Sequence, residues 1–321
     1  MHLPASLSAR LKLPLIVAPM FQVSGPDMVV AACQSGAIGA FPTANCRSPE
    51  ELDSWLGRFR SELSETDAPF CPNLIMASPN LASDVACVIR HRAEIVITSV
   101  GSPSLIVGPL HDAGCKVLAD VASIRHAEKA IEAGVDGLIL LTAGAGGNTG
   151  WANGFAFVRA VRAIWDGIVV LAGGVSDGVS LFAAESLGCD LAYMGTSFIA
   201  TEESLAPLEY REMLVRSTID DILLTRAFTG LETNMLRPSI LAAGIDPETL
   251  PAMASKARVE GAYGKNASGD APRRWRDIWS AGHSVSGVKD IASVGARIAE
   301  VRAQYEEARR SACHGQASDG K

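Results

Sequence analysis

The stretch IEAGVDGLILL, residues 131–141, decides the fold class of this chain. A helix-like segment reaches a small residue and Gly134, and an apolar run that does not alternate with polar residues follows at once. Glycine at this place is typical of the left-handed position that ends a helix, and a run without alternation is typical of a strand buried on both faces. The same order recurs in CQSGAIGAF (33–41), HDAGCKVLAD (111–120) and ESLGCDLAYM (185–194). This repetition predicts an α/β protein in which helices cover a parallel sheet.

Eight apolar runs of this kind precede residue 196. They are residues 13–19, 37–41, 70–76, 94–99, 116–120, 136–142, 167–173 and 191–195. Helical stretches fit between them, such as 48–63 after a Ser-Pro start and 123–134 with Ser123 as its N-cap. Eight strand–helix units predict a (β/α)8 TIM barrel, whose active site lies at the carboxyl ends of the strands. A doubly wound sheet is the alternative, because one sequence does not reveal strand order.

Glycine-rich loops follow the last three predicted strands. They are GAGGNTGWANG (144–154) with five glycines, AGGVSDG (172–178) and MGTSF (194–198). A simple turn would explain any one of them, but three in succession indicate that a ligand approaches the backbone closely. In barrels a phosphate commonly binds between the loops after strands seven and eight. We therefore predict that Gly173, Gly174, Gly195 and Thr196 hold a phosphate.

Composition argues against several other classes of protein. The net charge of −7, the pI near 5.4 and the scattered basic residues disfavour a nucleic-acid or anionic-membrane partner. No apolar run reaches the roughly 18 residues of a membrane span. The seven cysteines form no CxxC pair, so neither a disulfide framework nor a metal site is predicted. These features predict a cytoplasmic protein that acts on a small molecule, and they are compatible with a homo-oligomer.

Several motifs together resemble the nitronate monooxygenase family, formerly called 2-nitropropane dioxygenases. The motifs are APM (18–20), Asn73, GAGGNTG (144–150), AGGVSDG (172–178), MGTSFIATEES (194–204), FTGLETNML (228–236) and IWSAGHSV (278–285). The resemblance implies an FMN-dependent barrel with a small, mainly helical lid, and it implies oxidation of alkyl nitronates by molecular oxygen. The same superfamily includes flavin reductases, so an NAD(P)H-dependent reductase of quinones or enoyl thioesters is the alternative. A flavin-binding protein that has lost catalysis is a third.

The resemblance also implies which residues hold FMN. The four residues predicted above to hold a phosphate would bind the FMN phosphate. Gly146 and Gly147 would lie against the flavin ring. Met20 contacts the ring, and Asn73 bonds to its polar edge, where an amide can both donate and accept. Asp120 lies near a position where relatives often carry a basic side chain, and we assign it to the ribityl hydroxyls.

Asn148 departs from the family pattern. Many members carry histidine at this place in an AGGH motif, where it is taken as a base or hydrogen-bond donor. An asparagine amide takes up no proton near neutral pH, but it can donate to a nitro oxygen. A nitronate arrives deprotonated and needs no base, so the departure favours a nitronate over a nitroalkane. We predict Asn148 as a catalytic residue, with His283, in a glycine-flanked loop, as the second.

The strand–helix rhythm breaks after residue 205. We predict an FMN-binding barrel over residues 1–205, a lid subdomain over 206–287, and C-terminal helices with a disordered tail over 288–321. Within the lid, residues 209–225 are predicted to form one charged amphipathic helix. A lid of this kind would exclude water from the flavin and shape specificity.

Overall fold

The computed structural model describes residues 2–253 and 277–315. Its barrel strands are β1 (Leu15–Val17), β2 (Ile38–Pro42), β3 (Phe70–Ile75), β4 (Ile95–Ser99), β5 (Lys116–Val121), β6 (Gly137–Leu141), β8 (Ile168–Ala172) and β9 (Leu191–Met194), while β7 (Gly147–Asn148) lies outside the barrel. All barrel neighbours are parallel, and β1 pairs with both β2 and β9, so the sheet is closed. Closure confirms the predicted TIM barrel and excludes the doubly wound alternative.

The helices predicted over 48–63 and 123–134 are confirmed, with ends within two residues of those predicted. They are α1 (Ala5–Ser8), α2 (Pro26–Gln34), α3 (Pro49–Glu62), α4 (Leu81–Arg90), α5 (Ser104–Asp112), α6 (Ile124–Glu132), α7 (Gly154–Arg162), α8 (Gly178–Leu187) and α9 (Thr196–Ile199). Ser48 and Ser123 cap α3 and α6 by accepting hydrogen bonds from backbone N–H groups. The four glycines that were predicted to end helices all have positive φ. They are Gly36 (86°), Gly114 (79°), Gly134 (85°) and Gly188 (105°).

Two apolar layers hold the barrel together. Branched side chains such as Ile16, Ile97 and Ile139 fill its interior and are completely buried. A larger layer, which includes Phe41 and Phe59, lies between the strands and the surrounding helices. The interior is therefore packed rather than an open channel, and any binding site must lie at an end of the barrel.

A β-hairpin outside the barrel was not predicted. β10 (Ile222–Thr225) pairs antiparallel with β11 (Thr233–Leu236), which also pairs with β7. The single helix predicted over 209–225 is therefore wrong in its second half, because α10 (Leu208–Arg216) ends before it. Asp221 accepts a hydrogen bond from the Thr218 N–H at 2.7 Å, which favours a short turn at this point, and the pairing of β10 with β11 then replaces continued helix. Helix α11 (Arg237–Ala242) follows the hairpin.

The C-terminal helix α12 (Val294–Gly315) packs on α2 and α8. Gly178 permits this approach, because a Cβ there would lie 2.1 Å from the Tyr305 nitrogen. Residues 311–315 of the predicted tail are helical, whereas 316–321 and the lid residues 254–276 lie outside the described residues. The predicted domain boundaries stay predictions. Within the described ranges, no helix is both long and apolar enough to cross a membrane.

Candidate functional site

A cavity of about 880 Å³ opens at the carboxyl ends of the barrel strands. It is lined by all the predicted site residues except His283, namely Met20, Asn73, Asp120, Gly146, Gly147, Asn148, Gly173, Gly174, Gly195 and Thr196. They come from six different barrel strands and the loops that follow those strands. The barrel thus brings residues that are distant in sequence to one surface, as this fold does in general.

The predicted phosphate end of the cavity has the backbone that an anion requires. Gly173 and Gly174 have φ values of 108° and 78°, in the left-handed region that favours glycine. A Cβ at Gly173 would lie 2.5 Å from the Ala145 nitrogen, whereas a Cβ at Gly174 would meet nothing within 4 Å. The Thr196 hydroxyl accepts the Gly282 N–H at 2.9 Å and keeps its own proton for another acceptor. Gly174 therefore faces open space, and Thr196, which lines the same cavity, can donate its hydroxyl proton in a hydrogen bond.

Other glycines in the loop after β6 have a different role. A Cβ at Gly146 would lie 2.7 Å from the Gly282 nitrogen, and one at Gly150 would lie 2.2 Å from the Leu141 carbonyl oxygen. These positions lack side chains because protein backbone packs on them. Close approach of a ligand, which the sequence suggested for the whole cluster, is therefore not needed to explain Gly146 and Gly150.

Gly150→Ala is expected to destabilise the protein by about 1–3 kcal/mol, because neither the new methyl nor the Leu141 carbonyl in β6 can move freely. Gly108→Ala is the matched control, since nothing lies within 4 Å of a Cβ there and alanine is favoured inside α5. Thermal unfolding should show a lower Tm for the first variant only. Equal Tm values in the two variants would contradict the packing role.

Asn73, on β3, and Met20, in the loop after β1, both line the cavity. The Asn73 side chain is buried, with its Nδ2 and Oδ1 atoms at 3.2 and 3.3 Å from the Ser99 hydroxyl. This contact fixes the amide and leaves it one donor and one acceptor site for a ligand. The Met20 sulfur lies 3.3 Å from the position of a Cβ at Gly195, so the thioether packs on the loop after β9.

Asp120, at the end of β5, has a buried polar atom without a partner. Its Oδ1 makes no hydrogen bond to any described residue, although the side chain lines the cavity. Burial raises the pKa of this carboxyl to about 7. Burial, with the nearby carboxyl second, also raises the pKa of Tyr193 on β9. Because buried polar groups are almost always hydrogen-bonded, Asp120 is well suited to accept a hydrogen bond from a hydroxyl group of a ligand.

Asp120→Asn is expected to change how stability depends on pH. The folded carboxyl keeps its proton up to about pH 7, whereas the unfolded one loses it near its ordinary pKa of 3.8. Raising the pH through this window therefore favours the unfolded state, and the stability of FMN-free wild type should fall relative to Asp120→Asn. Thermal unfolding of both proteins between pH 4.5 and 8 measures this difference. Parallel profiles would show that Asp120 ionises normally.

The hairpin positions Asn148. Asn148 pairs with Thr233 in the register of β7 and β11, and its Oδ1 lies 3.5 Å from the Thr233 hydroxyl. Asn234 donates to the carbonyls of Ala143 and Ala145 at 2.8 and 2.7 Å, which ties the loop after β6 to the hairpin. The Asn148 oxygen is thereby directed toward protein, and its NH2 group stays available to a molecule in the cavity.

His283 does not line the cavity. Its backbone N–H donates to the Gly144 carbonyl at 3.0 Å, while the neighbouring Ser284 is a lining residue. The position of His283 therefore gives no support to its predicted catalytic role, which stays a prediction.

Asp53, Cys87 and His91 form the one group among the described residues in which three metal-ligand types lie together, and it is outside the cavity. The Arg90 guanidinium already donates to Asp53 at 2.6 Å and lies 3.3 Å from the Cys87 sulfur. Arg90 and His91 lower the pKa of Asp53 to about 2. The Arg90 side chain thus already neutralises this carboxylate, and we assign no metal ion to the group.

Comparison with known proteins now decides the family. A profile described as "Nitronate monooxygenase" matches residues 5–303. The chain belongs to the nitronate monooxygenase family. Family membership confirms the predicted resemblance and makes the chain an oxidoreductase of a flavoprotein family.

Individual relatives of this family member are distant. A nitronate monooxygenase from Paraburkholderia phytofirmans is 25% identical, over 83% of this chain and 88% of that protein. A (3aS,4S,5R,7aS)-5-hydroxy-7a-methyl-1-oxo-octahydro-1H-indene-4-carboxyl-CoA dehydrogenase from Rhodococcus jostii is also 25% identical, but the match covers 71% of this chain and only 64% of the relative.

Two solved structures share the fold at 24% identity. FabK from Thermotoga maritima has a TM-score of 0.81, with coverage of 95% of this chain and 96% of that one. Nitroalkane oxidase from Streptomyces ansochromogenes has a TM-score of 0.80, with coverage of 96% and 99%. At this identity the structures show the fold alone, and they support the barrel of this nitronate monooxygenase family member.

Sequence reasoning missed three cavity-lining residues from outside the barrel. Tyr210 on α10 stacks on Trp279 with ring centroids 4.9 Å apart, and its hydroxyl donates to the Ser280 carbonyl. All three line the cavity. The motif IWSAGHSV contains Trp279 and Ser280, but its histidine drew the prediction, whereas the structure uses its aromatic and small residues.

Proposed function

We propose that this protein catalyses the FMN-dependent oxidation of alkyl nitronates by molecular oxygen. The observation that carries the proposal is that one cavity joins the open backbone at Gly174, the unpaired Asp120 oxygen and the amide of Asn148. A cytoplasmic location and oxygen as the second substrate are part of the same proposal.

The residues that line the cavity fit the separate parts of FMN. Backbone N–H groups at Gly173 and Gly174, with the Thr196 hydroxyl, would receive the single terminal phosphate. The Asp120 carboxyl would accept from a ribityl hydroxyl and so satisfy its buried oxygen. Asn73 would bond to the polar edge of the isoalloxazine ring, and Met20 would pack on the ring face.

A bound FMN would supply the redox chemistry by accepting electrons from the nitronate and passing them to oxygen. The chain supplies binding and orientation. Asn148 donates a hydrogen bond to a nitronate oxygen, where it offsets the negative charge without taking up a proton. Tyr210 and Trp279 cover the cavity and limit access of water to the reacting atoms.

An NAD(P)H-dependent flavin reductase of quinones or enoyl thioesters is the second candidate. The size of the cavity favours it, because about 880 Å³ lies near the upper end of the range for ligand pockets and exceeds the need of FMN with a small nitronate. The similarity to a relative named as a carboxyl-CoA dehydrogenase points in the same direction.

Anaerobic mixing separates the two candidates. The purified protein should be yellow and should release FMN, not FAD, at one per chain after denaturation. Under anaerobic conditions, ethylnitronate should bleach the flavin, and oxygen uptake should follow when air is admitted. Bleaching by NADH or NADPH alone would support the reductase instead. Protein that takes up no FMN on reconstitution would contradict both candidates.

A further inference from the structure

The loop after β4 contains a strained residue that lines the cavity. Val100 has a φ of 56°, in the left-handed region. Among the described residues, three residues other than glycine have a positive φ, and Val100 is the β-branched one of the three. A β-branched side chain is rare in this conformation, because its Cβ crowds the following carbonyl oxygen. Strain of this kind persists where the surroundings enforce it, and it is common at ligand-binding sites.

The residues on both sides of Val100 are held in place. The Ser99 carbonyl accepts the Met76 N–H at 2.9 Å, and the Ser99 hydroxyl contacts the Asn73 amide. On the other side, a Cβ at Gly101 would lie 2.7 Å from the Met76 Cβ, so Gly101 packs closely on the loop after β3. The two fixed neighbours maintain the strained φ of Val100.

The strained conformation also changes the surface to which Val100 belongs. Along β4, Ile95 and Ile97 fill the barrel interior, whereas Val96 belongs to the apolar layer between strands and helices. Continued alternation would place Val100 in that outer layer as well. Among the described residues, however, Val100 belongs to neither layer, and it is half-buried at the cavity. The left-handed turn thus brings an apolar residue to the cavity wall instead of the core.

The surroundings of Val100 suit an alkyl group. Ile75 on β3 is the register partner of Ser99 and also lines the cavity, so two apolar residues lie at the ends of neighbouring strands. Asn148 follows β6, and β5 alone lies between β4 and β6 in the barrel. Two strand spacings amount to roughly 10 Å. A molecule that meets both Asn148 and Val100 therefore needs a chain of several carbons behind its reacting group.

We propose that Val100 forms an apolar wall for the alkyl chain of the nitronate and so makes chain length a determinant of specificity. The chain lies against the isopropyl group of Val100 while a nitronate oxygen accepts a hydrogen bond from Asn148. Val100 takes no part in electron or proton transfer. This inference rests on the proposed function, because it takes the substrate to be an alkyl nitronate.

Val100→Gly tests whether the strain serves a ligand rather than the core. Glycine adopts positive φ freely, so the Tm of this variant should rise by about 1–4 °C at equal FMN content. Arg92→Gly is the matched control, because Arg92 is exposed, has a φ of 51° and does not line the cavity. It should raise the Tm similarly and leave the kinetics unchanged. A lower Tm in Val100→Gly would overturn the inference, because it would show that Val100 stabilises the core.

Val100→Ala tests the wall, because it removes two methyl groups and keeps the Cβ. Oxygen uptake with the nitronates of nitroethane, 1-nitrobutane and 1-nitrohexane gives kcat/KM for each chain length. The variant should lose about 4- to 15-fold in kcat/KM with the two longer nitronates, mainly through KM, and less than about twofold with ethylnitronate. Leu105→Ala is the matched control, since Leu105 on α5 is 82% exposed and does not line the cavity. It should leave all three values unchanged.

Two kinetic results would overturn the inference. Equal losses with all three nitronates in Val100→Ala would assign Val100 to general packing of the loop, and unchanged values with all three would remove the wall. Nitronate oxidation by wild type would stand in both cases. Wild type that binds FMN but oxidises none of the three nitronates would instead contradict the proposed function, and this inference with it, so the two failures are distinguishable.

Discussion

Gly174→Asp is expected to yield folded protein that does not retain FMN. Gly174 has a φ of 78°, which aspartate and asparagine tolerate better than most residues, and a Cβ there meets no atom within 4 Å. The new carboxylate would project into the space assigned to the phosphate. Two unit charges about 4 Å apart repel by about 1 kcal/mol in water and about 4 kcal/mol near a protein surface. FMN affinity should therefore fall by about 5- to 1,000-fold relative to the neutral variant Gly174→Asn.

Two comparisons make this result interpretable. Gly174→Asn separates charge from bulk, since it places a side chain of the same shape in the same space. Gly114→Asp, in the turn before β5, has a φ of 79° and equally open surroundings but lies outside the cavity. It should keep full FMN affinity, measured by quenching of flavin fluorescence on titration of FMN-free protein. Normal FMN affinity in Gly174→Asp would move the phosphate elsewhere.

Asn148→Ala is expected to keep FMN and lose turnover. If Asn148 donates to a charged nitronate oxygen, its removal leaves that oxygen without a donor and costs about 1–3 kcal/mol in the transition state. Oxygen uptake with a nitronate should then fall by about 5- to 150-fold at equal FMN content. Asn153→Ala is the matched control, because Asn153 caps α7 in the same loop but does not line the cavity. It should lower stability by about 1 kcal/mol and leave turnover unchanged.

Asn148→His extends the same test to proton transfer. An imidazole near its ordinary pKa of about 6.5 can accept an α-proton, so this variant should gain activity on neutral nitroalkanes that wild type lacks. Oxygen uptake with a nitronate and its parent nitroalkane, measured for both variants, checks the prediction. Wild-type rates in Asn148→Ala with either substrate would show that Asn148 serves only as the partner of Thr233 in the hairpin.

The candidate site was predictable from sequence to the extent that it lies at strand ends. The positions of Gly174 and Thr196 followed from counting buried strands and noting what comes next, whereas Asn73 and Asp120 followed from the family resemblance, and all four line the cavity. The conformation of the helix-ending glycines Gly114 and Gly134 also followed, because glycine is the residue that tolerates positive φ. His283 does not line the cavity, and the sequence could not reveal this because a histidine in a glycine-flanked loop says nothing about the direction of its side chain.

The sequence by itself determined the buried parallel strands and the helices between them, because non-alternating apolar runs and helix-ending glycines such as Gly36 and Gly188 are local signals. The closure of these strands into a barrel was decided by the tertiary structure, in which β1 pairs with β9. Only the tertiary structure decided the hairpin, because four-residue apolar runs such as β10 fit a helix or a strand equally well until β11 and β7 pair beside them. The tertiary structure also decided the roles of the glycines after β6 and of Asp120. Whether a Cβ at Gly146 meets Gly282, or whether a buried carboxyl finds a partner, depends on which distant segments pack together. No spacing within one segment carries that information.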